Sequence, residues 1–139
     1  MRQELGELNF ATRGRALREI TVDVARWLRG VHARRGLFTL LVRHTSASLL
    51  IQENADPDVL RDLETFVSRL VPDGDPRFVH TAEGPDDMPS HVRAALTQTS
   101  LSIPVDAGEM LLGTWQGIYL WEHRHAPHQR RVVLHYVGD

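Results

Sequence analysis

The run Leu37–Arg43 (LFTLLVR) constrains the fold of this chain more than any other feature. It is apolar at nearly every position yet only of strand length, which predicts a strand buried on both faces. Further strand patterns lie at Arg2–Phe10, Ser48–Gln52, Leu101–Val105, Glu109–Gly113, Ile118–His123 and Arg131–Val137, with a turn at Asp106-Ala107-Gly108. Val24, Trp27, Leu28 and Val31 repeat at helical spacing behind Thr21, whose hydroxyl suits a helix cap. Asp56-Pro57 opens the clearest helix, carrying Val59, Leu63, Phe66, Val67 and Leu70 on one face. Another start stands at Asp87-Met88-Pro89. Strands outnumber helices, and several adjacent strands read as hairpins. The expected class is α+β, a largely antiparallel sheet with two or three helices laid over it.

With 139 residues and no internal repeat or linker, the chain is expected to form a single domain over residues 1–139. No stretch approaches the ~20 apolar residues of a membrane span, and MRQELGELNF has no signal-peptide core, so a cytoplasmic protein with no membrane partner is expected. The chain has no cysteine, which excludes disulfides, thiolate ligands and Cys nucleophiles. It also has no lysine, all 16 basic residues being arginine, which excludes Schiff-base chemistry and a P-loop lysine. A net charge of −2 gives no general attraction to nucleic acid, and the arginine pairs at 34–35 and 130–131 lack an aromatic-rich basic stripe. The eight histidines therefore carry the interest, since imidazole is the remaining nitrogen ligand and the natural acid–base group near neutral pH.

Three segments break the local pattern, as functional sites tend to do. His44-Thr45-Ser46-Ala47-Ser48 places an imidazole and three hydroxyls at the end of the apolar run, fit to bind phosphate oxygens or simply to close a turn. His80–His91 (HTAEGPDDMPSH) holds two histidines, Glu83 and the Asp86-Asp87 pair. Asp87 and His91 are four apart, so on a helix they share a face, where the carboxylate can orient the imidazole; alternatively Asp87 is a plain N-cap. The third segment runs from Gly113-Thr114-Trp115-Gln116-Gly117 to Trp121-Glu122-His123-Arg124-His125. Strand alternation sets His123 with Trp121 and Tyr119, and sets Glu122 and Arg124 on the other face as a buried pair or a subunit contact. Trp115 is read as a core residue, and Gly117 as a place of close approach.

The stretches HTSASLLIQENADPDV, HTAEGPDDMPSH, SLSIPV and LLGTWQGIYLWEHR resemble the YjbQ-like family, also called secondary thiamine-phosphate synthase. The likeness is strongest from His44 to Arg131. It implies a β-sandwich-like α+β core, a homotrimer, and a polar cleft acting on a small phosphorylated metabolite, with a weak thiamine phosphate synthase activity. The family motif falls on His44, Thr45, Ser46, Asn54, Asp56, His80, Glu83, Gly84, Asp86, Asp87, His91, Trp115, Gln116, Glu122, His123 and Arg124. Gln98 stands where relatives usually carry glycine, a departure that concerns a turn.

Two functions compete. In the enzyme reading, His80, His91 and His123 bind a divalent, Zn-like metal with an open position. His44 is then the acid–base group, Asp87 the orienting carboxylate and Arg124 a phosphate clamp, with Glu122 beside them. Thr45, Ser46, Asn54, Asp86, Trp115 and Gln116 are the substrate-binding residues the resemblance implies. The alternative is a non-catalytic module that binds a metabolite or metal in the same pocket. The apolar strands and the family likeness together suggest a trimer.

Overall fold

Alternating side chains explain the larger of two antiparallel sheets. The computed structural model describes residues Met1–Asp139. Its elements are β1 (Arg2–Ala11), β2 (Ala16–Glu19), α1 (Thr21–Gly30), β3 (Gly36–Val42), β4 (Ala47–Glu53), α2 (Pro57–Leu70) and α3 (Asp87–Leu96), then β5 (Ser100–Asp106), β6 (Glu109–Met110), β7 (Gln116–Glu122) and β8 (Gln129–Gly138). Five strands join in the order β1-β8-β3-β5-β6, and three in the order β2-β7-β4. Register stacks Phe38 beside Tyr136, Leu40 beside Leu134 and Val42 beside Val132, all on one buried face. Leu101 and Ile103 extend that layer from β5.

The smaller sheet contributes Ala47, Leu49, Ile118 and Leu120 to the same core, and α1 contributes Val24 and Leu28. Each large apolar side chain so enclosed stabilises the fold by about 1.5–3 kcal/mol relative to exposure. The second face of the smaller sheet is covered by α2 and α3, so Tyr119, Trp121 and His123 are buried as well. Every residue from Gly117 to His123 is therefore out of water. That two-sided cover was expected of β3, whose outer residues Leu37 and Leu41 are instead 41% and 44% exposed because no helix lies over them.

Helix starts differ in chemistry. Asp56 caps α2 as expected, accepting the Asp58 N–H at 2.9 Å. Thr21 is the first helical residue of α1 and makes no cap; its hydroxyl accepts the Ile118 N–H at 2.8 Å and ties the helix to β7. Nor does Asp87 cap α3, whose flanking residue is Asp86 and which has no side-chain cap at all. Its carboxylate is free for other partners. No helix is long and apolar enough to cross a membrane.

Candidate functional site

α3 begins at the end of a segment without regular structure, Val71–Asp86, which brings His80 over the helix start. His91 lies one turn along the same helix from Asp87, so both project to the same side. The Asp87 Oδ2 atom stands 2.7 Å from His80 Nε2 and 3.2 Å from His91 Nε2. One ligand atom from each of these three residues falls within 4.8 Å of the others. The two imidazoles meet edge to face, ring centres 5.6 Å apart. Asp87 is 3% exposed at its side chain, whereas His80 and His91 are 46% and 33% exposed, so the group opens to solvent on the imidazole side.

The other oxygen of Asp87 is held from behind. Arg124, just past β7, donates Nη1–H to Asp87 Oδ1 at 2.6 Å and Nε–H to Asp86 Oδ2 at 3.1 Å. Its remaining terminal nitrogen donates to the Glu83 carbonyl at 2.9 Å. Burial opposes the charge on Asp87, but the His80 hydrogen bond and the Arg124 and His91 charges outweigh it and hold the carboxyl below its ordinary range. Asp86 is likewise disfavoured by burial yet held ionised by the His125 N–H and Arg124. A cleft of about 400 Å³ adjoins His80, walled by Gly74, Pro76, Phe78, Gly84 and Pro89 among others, with no arginine in its lining.

His123 is not part of this group. Arg93 Nε–H donates to His123 Nδ1 at 2.9 Å, so that nitrogen is an acceptor and Nε2 carries the proton toward Ser48 Oγ at 2.8 Å. Both ring nitrogens are thus occupied in a fully buried ring. Burial, then the charges of Arg93, Arg15 and Arg130, push its pKa down to about 2. The residue that stands with His80 and His91 is Asp87, not His123. His123 instead anchors a network in which Arg93 grips both oxygens of Glu64 at 2.9 and 2.7 Å. The Arg93 guanidinium also lies over the Trp121 ring, 5.4 Å from its centre.

The remaining expected residues fall elsewhere. His44 Nε2 accepts the Arg131 N–H at 2.8 Å; burial and then the Arg130 and Arg131 charges lower its pKa. Of the two readings offered by strand alternation, a buried pair or a subunit contact, the pair between the Glu122 and Arg124 side chains does not form. The partners of Glu122 are the Arg130 guanidinium, Thr12 Oγ1 at 2.6 Å and the Arg124 backbone N–H at 3.2 Å. Arg130 reaches Ser46 Oγ at 2.9 Å, so Ser46 belongs to that sealed cluster too. Thr45 is exposed; the Asn54 side chain reaches Glu19 at 3.4 Å, and its backbone N–H donates to the Trp115 carbonyl at 2.9 Å. Trp115 is 62% exposed rather than in the core, because β6 ends at Met110 and leaves the following loop outside. Gln116 closes that loop, accepting the Gly113 N–H at 2.7 Å. Gly117 does permit close approach: a Cβ there would stand 2.6 Å from Glu19 Oε2.

Arg93, Glu64 and Ser90 were not singled out from the sequence, and Arg130 stood out there only as half of an arginine pair. Arg93 could have been singled out, as the one charged residue in VRAAL, a helical stretch otherwise apolar. Ser90 carries no such signal; its hydroxyl lies 2.6 Å from the Asp86 carbonyl and 2.9 Å from that of His123, stapling α3 to the residue just past β7.

The model of the family "UPF0047 protein YjbQ-like" matches residues 6–139. The chain belongs to this family. It is 51% identical over 138 residues to UPF0047 protein sll1880 of Synechocystis, covering 99% of this chain and 94% of that one. It is 41% identical to YjbQ of Escherichia coli O157:H7, covering 95% and 96%. Among solved structures, protein APE1520 of Aeropyrum pernix K1 superposes with a TM-score of 0.89 at 31% identity, covering 98% and 99% of the two chains. A Clostridium acetobutylicum member of the YjbQ/UPF0047 family gives 0.86 at 31% identity, covering 94% and 98%. Family and fold are thereby established, including the antiparallel α+β architecture.

Proposed function

We propose that His80, Asp87 and His91 hold a divalent, Zn-like metal ion and that the chain is an enzyme acting on a small phosphorylated metabolite. The observation that carries this is the convergence of two imidazole nitrogens and a carboxylate oxygen within 4.8 Å, open to solvent on one side. Two histidines and one carboxylate are a donor set suited to zinc, with a fourth position left for water or substrate. Arg124 fits the design from behind, since a partner that fixes a ligating carboxylate sets its direction and charge. A bound metal would supply Lewis acidity to a phosphate oxygen. The chain's own residues orient that centre, and the cleft beside His80, lined by Asp75 and by no arginine, receives the part of the substrate without phosphate. Arg124 holds Asp86, Asp87 and the Glu83 carbonyl, so it acts by fixing the ligands rather than as a free phosphate clamp. Thiamine phosphate formation is a transfer reaction suited to such a centre, as a secondary activity. A trimer would cover apolar side chains that one chain leaves out, such as Phe66 at 67% and Leu70 at 59% exposure.

One observation favours a second reading, a non-catalytic metal- or metabolite-binding module. His44, the expected acid–base group, and Glu122, expected beside it, are engaged in the cluster around Arg130 and Arg131 instead of at the metal group. Turnover separates the two readings. The test is zinc titration of the parent and of His91→Ala, with thiamine phosphate synthesis measured before and after chelation. Equal metal retention by both proteins would sink the centre. Metal binding without chelator-sensitive turnover would leave the binding module.

A further inference from the structure

His80 is the one member of the group that no helix or strand places. It sits in Val71–Asp86, a segment long for a structureless connection, where Val71 and Asp86 are the buried residues and Val79 is 95% exposed. Apolar packing therefore does little to position it. Polar contacts join the two ends of the segment, and His80 itself stands 2.7 Å from Asp87 Oδ2. At its start, Asp73 accepts two hydrogen bonds from Arg15 at 3.0 and 3.2 Å and stands 2.8 Å from His125 Nε2. At its finish, Asp86 accepts the His125 backbone N–H at 2.9 Å. The ends meet directly where the Gly74 N–H donates to the Pro85 carbonyl at 3.1 Å. His125 thus touches both ends of the segment, by its ring and by its backbone. Arg15 is tied to the scaffold in turn, donating Nε–H to the His123 carbonyl at 2.8 Å.

Granting the metal centre proposed above, we infer that Arg15, Asp73 and His125 form a latch that closes the neck of this segment and so holds His80 in ligating position. These are positioning residues: none is a member of the three-residue ligand group. The electrostatics agree, since the Arg15 and His125 hydrogen bonds overcome burial and keep Asp73 more acidic than usual. The latch also explains the use of Gly74, whose φ of +71° turns the chain immediately after Asp73.

Two readouts on the full chain test this. Amide hydrogen exchange on metal-free protein reports the latch itself: Asp73→Ala should speed exchange at Gly74 by at least tenfold while core strands β3 and β8 stay protected. Cobalt(II) titration, followed by its visible absorption, reports the consequence. Asp73→Ala and His125→Ala should weaken cobalt binding by about 10–100-fold, the usual effect of losing a supporting partner. His125→Gln, which keeps a side-chain N–H, should restore most of the affinity. Unchanged exchange at Gly74 overturns the latch. Faster exchange with parental cobalt affinity overturns its positioning role. If the parent binds no cobalt, or loses none on His91→Ala, the metal reading fails and the exchange result alone decides whether the latch exists.

Discussion

Replacing Asp87 by asparagine separates a structural carboxylate from a ligating one. The side chain makes no helix cap, so an effect of the substitution cannot be assigned to capping. Its carboxylate accepts from Arg124 at 2.6 Å and faces His80 and His91 at 2.7 and 3.2 Å. An amide keeps one oxygen. With that oxygen toward Arg124, the amide nitrogen faces the imidazoles, which can change tautomer to accept; the metal-binding atom is then gone. With the oxygen toward the imidazoles, two donors collide at Arg124. The first arrangement costs less, because Asp86 still holds Arg124. A hydrogen bond to a charged group contributes about 1.5–3 kcal/mol, so the metal-free protein should lose roughly that amount or somewhat less. The full amount corresponds to a fall of roughly 5–10 °C in melting temperature for a domain of 139 residues. Zinc affinity should fall by more than the ~100-fold that marks loss of an outer partner. The stability difference also carries a pH signature. The Asp87 pKa is depressed in the folded state from 3.8, so its contribution is complete above that value and fades as the pH falls through the folded pKa. Thermal melts from pH 7 down to pH 3 and a zinc titration measure both effects. An Asp87→Asn protein with the parent's melting temperature and the parent's zinc affinity would refute the reasoning.

The buried network makes two further predictions. Arg93→Ala leaves buried His123 Nδ1 without its donor and Glu64 with only Trp121 Nε1–H and Ser68 Oγ–H as partners, and should cost about 3 kcal/mol, read by denaturant unfolding; Arg93→Lys should not recover it, since one ammonium cannot match the geometry of the guanidinium fork. An Arg93→Lys protein as stable as the parent would contradict the network. His123, with its pKa near 2, should show no imidazole titration by NMR between pH 8 and pH 4, with the proton on Nε2 throughout. Because the imidazole of the unfolded chain takes up a second proton below about 6.5, His123 should weaken the fold progressively as the pH drops from there.

The larger sheet was legible because its strands alternate or run apolar, and Arg131–Val137, Leu101–Val105 and Leu37–Arg43 all appear within a residue or two of their observed limits. β2 was missed, since ALRE is short and exposed at three of its four positions, leaving no period to read. The two-sided burial went to the wrong strand: composition marks Leu37–Arg43 as apolar, but whether a helix covers a strand is a tertiary fact. At the site, Asp87 and His91 could be paired from helical spacing alone. His80 joins them through a segment with no periodicity, so its arrival depends on ion pairs between residues as distant as Arg15 and Asp73. His123 attracted attention for its chemical type, yet its surroundings are set by Arg93 and Ser48 from two other elements. Residue type is local information, and burial is not.

Anomalous diffraction from crystals of the parent protein grown with zinc addresses the metal centre most directly. A peak should appear bounded by His80 Nε2, Asp87 Oδ2 and His91 Nε2, at about 2.0–2.2 Å from each once the ligands close around it. Zinc-saturated crystals with no peak there, or with the three side chains still hydrogen-bonded as Asp87 with its two imidazoles, would contradict the metal centre.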